Sequence, residues 1–162
     1  MSAVKIHTPP VRLAKLLRTP GGLPVAEALQ KAGAGLESLR GECLSELDQV
    51  LQAAEAIAAR AGGEYDAELT AELYGVVSTP IGVAGVCGLQ SVETALLSLC
   101  DLLDRLKAKG GWDANAVAVH LRAFRLLLHT EAAKDDAGTR AILDGLRKVS
   151  QRYAGEEAPA GK

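Results

Sequence analysis

The sequence predicts an all-α protein, an up-down antiparallel four-helix bundle with an additional C-terminal helix and a basic N-terminal arm. Three observations lead there. Apolar residues recur at spacings of three, four and seven, and no segment alternates with period two over a strand-length run bounded by turns. Aromatic residues make up only 3% of a chain that is 48% hydrophobic, so a core must be assembled from Leu, Val, Ile and Ala, as helical bundles do. Glycine pairs separate the periodic segments and leave only short connections, as expected of antiparallel neighbours. A chain of 162 residues suits one domain. The expected division is a partly disordered arm over 1–24, a single helical domain over 25–153 and a disordered tail over 154–162.

The arm carries Lys5, Arg12, Lys15 and Arg18 with no acid, is interrupted by Pro9-Pro10 and closes with TPGGLP. Two readings stay open. It is a loosely packed, solvated terminus, or Val11, Leu13, Leu16 and Leu17 join the basic residues in a short amphipathic peptide that docks on a partner or an acidic surface. From Val25 to Ala61 the spacing becomes strict: Leu29, Leu36, Cys43, Val50 and Ile57 recur every seven residues, with Leu39, Leu47, Leu51 and Ala54 on the same side. This predicts one long amphipathic helix that packs along this face. Gly62-Gly63 ends it.

A second helix is expected to begin near Asp66 and to include Leu69, Leu73, Val76 and Val77. The third, Gln90 to Lys109, alternates spacings of four and three through Val92, Leu96, Leu99, Leu103 and Leu106, which predicts packing along its whole length. Gly110-Gly111 closes it, and Asp113 is the expected N-cap of a fourth helix through Thr130 whose apolar side is Val117, Leu121, Phe124 and Leu128. A fifth, from about Asp136 to Tyr153, uses Ile142, Leu146 and Val149. The tail AGEEAPAGK has no apolar anchor.

Composition also excludes classes of function. A formal charge of −2 supplies no basic field for nucleic acid. Cys43, Cys87 and Cys100 are odd in number and fit neither a disulfide framework nor a zinc ligand set, so they read as buried thiols in a reducing compartment. No apolar run approaches the roughly 20 residues that span a bilayer, and the N-terminus lacks a signal-peptide core, so a cytoplasmic protein without membrane insertion is expected.

The stretch LYGVVSTPIGVAGVCGL, Leu73 to Leu89, is the part that helix building alone does not explain. If the second helix continued unbroken, positions 75, 78, 82 and 85 would share one face, and they are Gly, Ser, Gly and Gly. Leu73, Val77, Ile81 and Ala84 would face the bundle. Interior glycines weaken a helix, and Pro80 costs it about 3 kcal/mol. A bare stripe kept at that expense suggests close approach of another backbone. The approach comes from a neighbouring helix of the same chain or from a partner protein, or the stretch is a loop joining two helices. Gly75, Ser78, Thr79, Gly82 and Gly85 are the candidate partner-binding residues.

The run STPIGVAGVCGL resembles the signature of the histidine phosphotransfer (Hpt) family. There a phosphoryl-accepting His is followed by Lys three residues on, Gly four on, small residues six and seven on, and Gly ten on before Leu or Phe. Gly82, Ala84, Gly85, Gly88 and Leu89 fall on that frame, while Ser78 stands at the histidine position and Ile81 at the lysine position. The resemblance implies a four-helix bundle over roughly residues 25 to 130. It also implies a degenerate acceptor position at Ser78, since phosphoryl relay needs an imidazole nucleophile and a cation to hold the phosphoryl oxygens.

The histidines supply no replacement by pattern. His7 lies in the arm, His120 on the apolar side of the fourth helix as a hydrogen-bonded core-edge residue, and His129 near that helix's end, where its dipole favours a cation. Glu131, Asp135 and Asp136 read as a solvated cap, and Glu42, Glu46 and Asp48 as an exposed acidic side without partners. No catalytic residue, metal or cofactor is expected. The expected function is a non-enzymatic Hpt-like adaptor that binds receiver or histidine kinase domains of a bacterial two-component system. The alternative is a structural bundle in which the stripe and the long heptad helix pack on a second copy.

Overall fold

Local chemistry sets the limits of each helix. In the computed structural model, which describes residues 21–129 and 136–154, the helices are α1 (Val25–Arg60), α2 (Ala67–Ser78), the short α3 (Ile81–Val86), α4 (Gln90–Lys109), α5 (Ala114–His129) and α6 (Asp136–Gln151), with no strand among the described residues. Asp66 caps α2 by accepting from the amides of Glu68 and Leu69 at 2.8 and 3.0 Å. Asp113 does the same for α5 through the Ala116 amide at 2.8 Å. Gly110, at φ 59°, ends α4 in a Schellman turn, with the Gly111 amide donating to the Leu106 carbonyl and the Gly110 amide to that of Lys107. The arm through residue 20, Thr130, the pair Glu131 and Asp135, and the tail from residue 155 lie outside the described residues.

The chain divides into two compact units, residues 1–36 and 37–162. Of the first, residues 21–36 are described. From Val25 they form the opening turns of α1, and every residue from 21 to 36 is exposed. In the second unit α4 is the hub: α2, α3, α5 and α6 all pack on it. Its buried side chains are Val92, Ala95, Leu96, Leu99, Cys100, Leu102, Leu103 and Leu106, a face wider than a single seam because it meets several helices. The α5 side chains Val117, Leu121, Phe124 and Leu128 are buried as the spacing predicts, and Leu146 of α6 joins them. From Cys43 onward α1 contributes Leu47, Leu51, Ala54 and Ile57. Asp48 and His129 pair across α1 and α5, and ion pairs link α1 to α5 between Glu55 and Arg125 and α1 to α2 between Arg60 and Glu72.

Several expectations change. The heptad of α1 does not pack along its whole length: Leu29, Leu36 and Leu39 are 68%, 44% and 50% exposed, because periodicity shapes a helix face without supplying what covers it. Helix α6 stops at Gln151. Tyr153 instead lies in a turn, where its hydroxyl donates to the Asp113 carboxylate and so ties the end of α6 to the cap of α5. That bond holds the Asp113 carboxyl below its usual range and pushes the Tyr153 phenol up. Among the described residues one helical stretch, Ala67–Val86, is after all long and apolar enough to cross a membrane by length and composition alone. Its Gly, Ser and Thr residues are near neutral and do not dilute Leu, Val and Ile enough to prevent it. The same stretch carries Glu68 and Glu72 and places Leu73, Val77 and Ala84 in the core at 0% exposure.

Candidate docking surface along residues 75 to 86

Proline decides how α2 passes into α3. Pro80 has no amide to donate to the Val76 carbonyl, so the helical ladder breaks at Thr79-Pro80. The backbone stays near helical values, with Thr79 at φ −57° and ψ −46° and Pro80 at φ −85° and ψ 0°, and the ladder resumes when the Ala84 amide donates to the Pro80 carbonyl at 2.9 Å. The hydroxyls of Thr79 and Ser78 turn back onto the Gly75 carbonyl at 2.8 and 3.3 Å. The stretch is therefore two helices with a break, neither one helix nor a loop.

The break shifts which residues face inwards. Leu73, Val77 and Ala84 are fully buried as expected, but Pro80 takes the inward place assigned to Ile81, which is only half-buried. The outward side carries Gly75, Thr79 and Gly82 exposed, with Ser78 and Gly85 half-buried. A side chain built at Gly75 or Gly82 would meet nothing within 4 Å. Close approach by a neighbouring helix of the described chain is thereby ruled out at both. At Gly85 the atoms nearest to a Cβ belong to the Glu93 carboxylate, the first at 2.6 Å. Beside these glycines Val83 and Val86 are 53% and 66% exposed. They did not stand out in the sequence, where an isolated valine between glycines has no period to assign it to a face.

Gly88 has a different role from the other glycines. At φ 76° it ends α3 in a second Schellman turn, in which its amide donates to the Gly85 carbonyl at 3.1 Å and the Leu89 amide to that of Ala84 at 2.9 Å. Leu89 and Ala84, the two ends of that turn, are both buried. The final Gly-Leu of the motif is thus a helix stop that starts α4.

The Ser78 hydroxyl is engaged with the Gly75 carbonyl, and no base bonds to it among the described residues. His120 is buried in the core at 1% exposure, deeper than the core edge expected of it. Its Nδ1 lies 2.9 Å from the Ala116 carbonyl, so that nitrogen carries the proton, and its Nε2 accepts from Ser98 or Ser150 at 3.1 and 3.3 Å. Burial lowers its pKa and keeps the ring neutral, with the Ala116 carbonyl and Asp101 opposing in part. This network joins the buried His120 of α5 and Ser150 of α6 to the half-buried Ser98 of α4. His129 is exposed and pairs with Asp48 at 3.1 Å, giving Asp48 the partner that its sequence position did not suggest. His7 lies outside the described residues. No cluster of three His, Cys, Asp or Glu able to hold a metal exists among the described residues. A groove of about 310 Å³ between α1 and α5 is lined by Glu55, Ala58, Trp112, Ala118, Leu121 and Arg122.

No family model, curated protein or solved structure matches the chain. The site therefore rests on its own geometry.

Proposed function

We propose that the chain is a non-catalytic, Hpt-like adaptor: an up-down antiparallel helical bundle that docks receiver or histidine kinase domains of a cytoplasmic bacterial two-component system through Gly75, Ser78, Thr79, Gly82 and Gly85. The observation that carries the reading is the open space over Gly75 and Gly82. These glycines weaken their helices by up to about 1 kcal/mol each, and no internal contact of the described chain requires them. A surface that must admit another backbone does. The exposed Val83 and Val86 supply apolar contact beside them. The opposite order of the side-chain pairs along α1 and α5, Asp48 with His129 and Glu55 with Arg125, favours antiparallel neighbours. Ser78 takes no part in phosphoryl transfer, since it lacks both imidazole and base.

The test is titration of the full chain against a panel of receiver and kinase domains, with acid-labile phosphate measured in the same samples. The reading requires saturable binding to at least one such domain, lost on Gly82→Gln, and no phosphate uptake. Phosphohistidine at His120 or His129, or the absence of binding across the panel, overturns it.

One observation favours a homodimer as a second reading. Val25, Leu29, Ala32, Leu36 and Leu39 follow a four-three seam, all are exposed, and Ala26, Ala28, Gly33 and Gly35 flank them without charge. Sedimentation should then show a dimer that Leu36→Glu dissociates.

A further inference from the structure

Helices α4 and α6 leave a groove of about 290 Å³ between them, lined by Thr94 and Ser98 of α4 and by Arg140, Leu143, Asp144 and Arg147 of α6. The α4 residues are one turn apart and the α6 residues recur at helical spacing, so each set shares one helix face. Leu143 is half-buried against the core, and both arginines are exposed. Arg147 pairs with Asp144 at 3.0 Å, whereas Arg140 forms no ion pair among the described residues. The Thr94 hydroxyl donates to the Gln90 carbonyl at 2.8 Å and has no proton left to give.

Ser98 differs. The neutral His120 ring offers one acceptor, Nε2, because Nδ1 carries the proton that goes to the Ala116 carbonyl at 2.9 Å. Two hydroxyls lie within reach of that single lone pair, Ser98 at 3.1 Å and Ser150 at 3.3 Å. Only one of them is needed. Ser150 is buried at 2% exposure, and its other acceptor, the Ser98 carbonyl, is more distant at 3.4 Å. With Ser150 donating to His120, the half-buried Ser98 can turn its proton to an acceptor in the groove, and no buried group loses its partner.

We propose that this groove binds the phosphate group of a small molecule, with Arg140 and Arg147 holding phosphoryl oxygens from α6 and Ser98 donating to the same group from α4. The site is separate from the docking face and does not depend on the adaptor reading. A planar carboxylate is satisfied by a single guanidinium fork, whereas a tetrahedral phosphate turns its oxygens in several directions and suits donors on two walls. Two guanidiniums and one carboxylate give the lining a net charge of +1, which attracts an anion. Asp144 works against binding, since it repels the phosphate and engages Arg147. The volume, near the lower limit of about 300 Å³ for small-molecule sites, restricts the ligand to a few heavy atoms beyond the phosphate.

The experiment titrates the full chain at constant ionic strength with glycerol 3-phosphate, inorganic phosphate and acetate, followed by amide chemical shifts. Both phosphates should saturate, with shifts centred on residues 94, 98, 140 and 147. Tighter binding of the ester places its organic part against Leu143 and Thr94, and equal binding makes free phosphate the ligand; either result upholds the site. Arg140→Gln changes an exposed residue without risk to the fold and should weaken binding about tenfold or more, the loss of a charge-assisted hydrogen bond. Asp144→Asn should tighten it. Ser98→Ala should weaken binding about fivefold while melting close to the parent, because Ser150 still serves His120. Ser150→Ala should also weaken it, although residue 150 does not line the groove, because Ser98 is then the sole donor to His120. Absence of saturation by either phosphate, acetate bound as tightly as phosphate, unchanged affinity in Arg140→Gln, or a Ser98→Ala protein that melts well below the parent would each overturn the proposal.

Discussion

Helix α4 and the stretch from Gly75 to Val86 are both rich in apolar residues, and they use them in opposite ways. In α4 large side chains fill a broad buried face: Leu96, Leu99, Leu102 and Leu103 are at most 1% exposed and four other helices pack on it. In the stretch a narrow row, Val77, Pro80 and Ala84, goes inwards, while glycines and two exposed valines face outwards. Hydrophobic content therefore does not locate a core. Side-chain size does so better, because a close-packed interior needs volume and a docking face can omit it. The comparison fails if truncation on α4 is cheap or if filling the glycine face is expensive.

The largest effect should come from Leu99→Ala. Leu99 is 1% exposed at the centre of the hub helix, and removing a buried leucine costs about 2 to 5 kcal/mol through lost burial and a residual cavity. Urea denaturation should show a lower midpoint at unchanged slope. A loss below about 1 kcal/mol, the size of a single peripheral contact, would show that α4 is not where the fold is held.

Gly88→Ala should come next. Its φ of 76° lies in the left-handed region, where a Cβ costs about 1 to 2 kcal/mol even though nothing stands within 4 Å of the site. Thermal denaturation of Gly88→Ala beside Gly82→Ala separates the glycine that shapes the backbone from the one that clears a surface. Equal melting temperatures would erase that distinction.

The buried side of the comparison also has a pH signature. Burial lowers the folded pKa of His120 below its ordinary value of 6.5, so above 6.5 the ring is neutral in both states and costs nothing. As pH falls below 6.5 the unfolded chain takes up a proton that the folded chain refuses, and stability drops by at most about 1.4 kcal/mol per pH unit until the folded pKa is reached. The Asp113 contribution is lost only at lower pH, around and below its ordinary value of 3.8, because the Tyr153 hydroxyl and the Ala116 amide hold the carboxyl below that. Denaturant midpoints from pH 7 to 5 should therefore fall, and His120→Gln should flatten the slope even if it lowers the plateau. An unchanged slope in that variant would assign the proton uptake elsewhere.

Much of the fold was legible because helix limits are local. Asp66, Asp113 and Gly110 act within a turn of their own positions, and the limits of α4 follow from the spacing of its leucines and the glycines after it. What was not legible depends on contacts between distant segments. The Leu29 and Leu36 repeats look the same as those at Cys43 and Ile57, yet only the latter pair is buried. Ser98, His120 and Ser150 come from three helices and form no motif; the available signal was a polar residue on the apolar face of each helix. At the candidate site the inward row was legible except at Pro80, where a broken ladder changes the phase of everything after it.

The smallest stability effect should come from Gly82→Gln, and it is the sharpest test of the outward face. Nothing lies within 4 Å of the added Cβ and the glycine is exposed, so the side chain enters open space. Helix propensity favours Gln over Gly by less than about 1 kcal/mol, and a six-residue helix realises only part of that. The melting temperature should stay level or rise slightly, while the proposed binding to a receiver or kinase domain is lost. Gly85→Gln should give the same loss of binding with a small destabilisation, because the new side chain must displace the Glu93 carboxylate, a flexible group that can move. Measuring both variants by thermal denaturation and by titration orders the outcomes. If Gly82→Gln melts well below the parent, something already occupies that space, and the stripe is an internal packing seam. If it melts with the parent and binds with unchanged affinity, the outward face is bare for a reason other than docking.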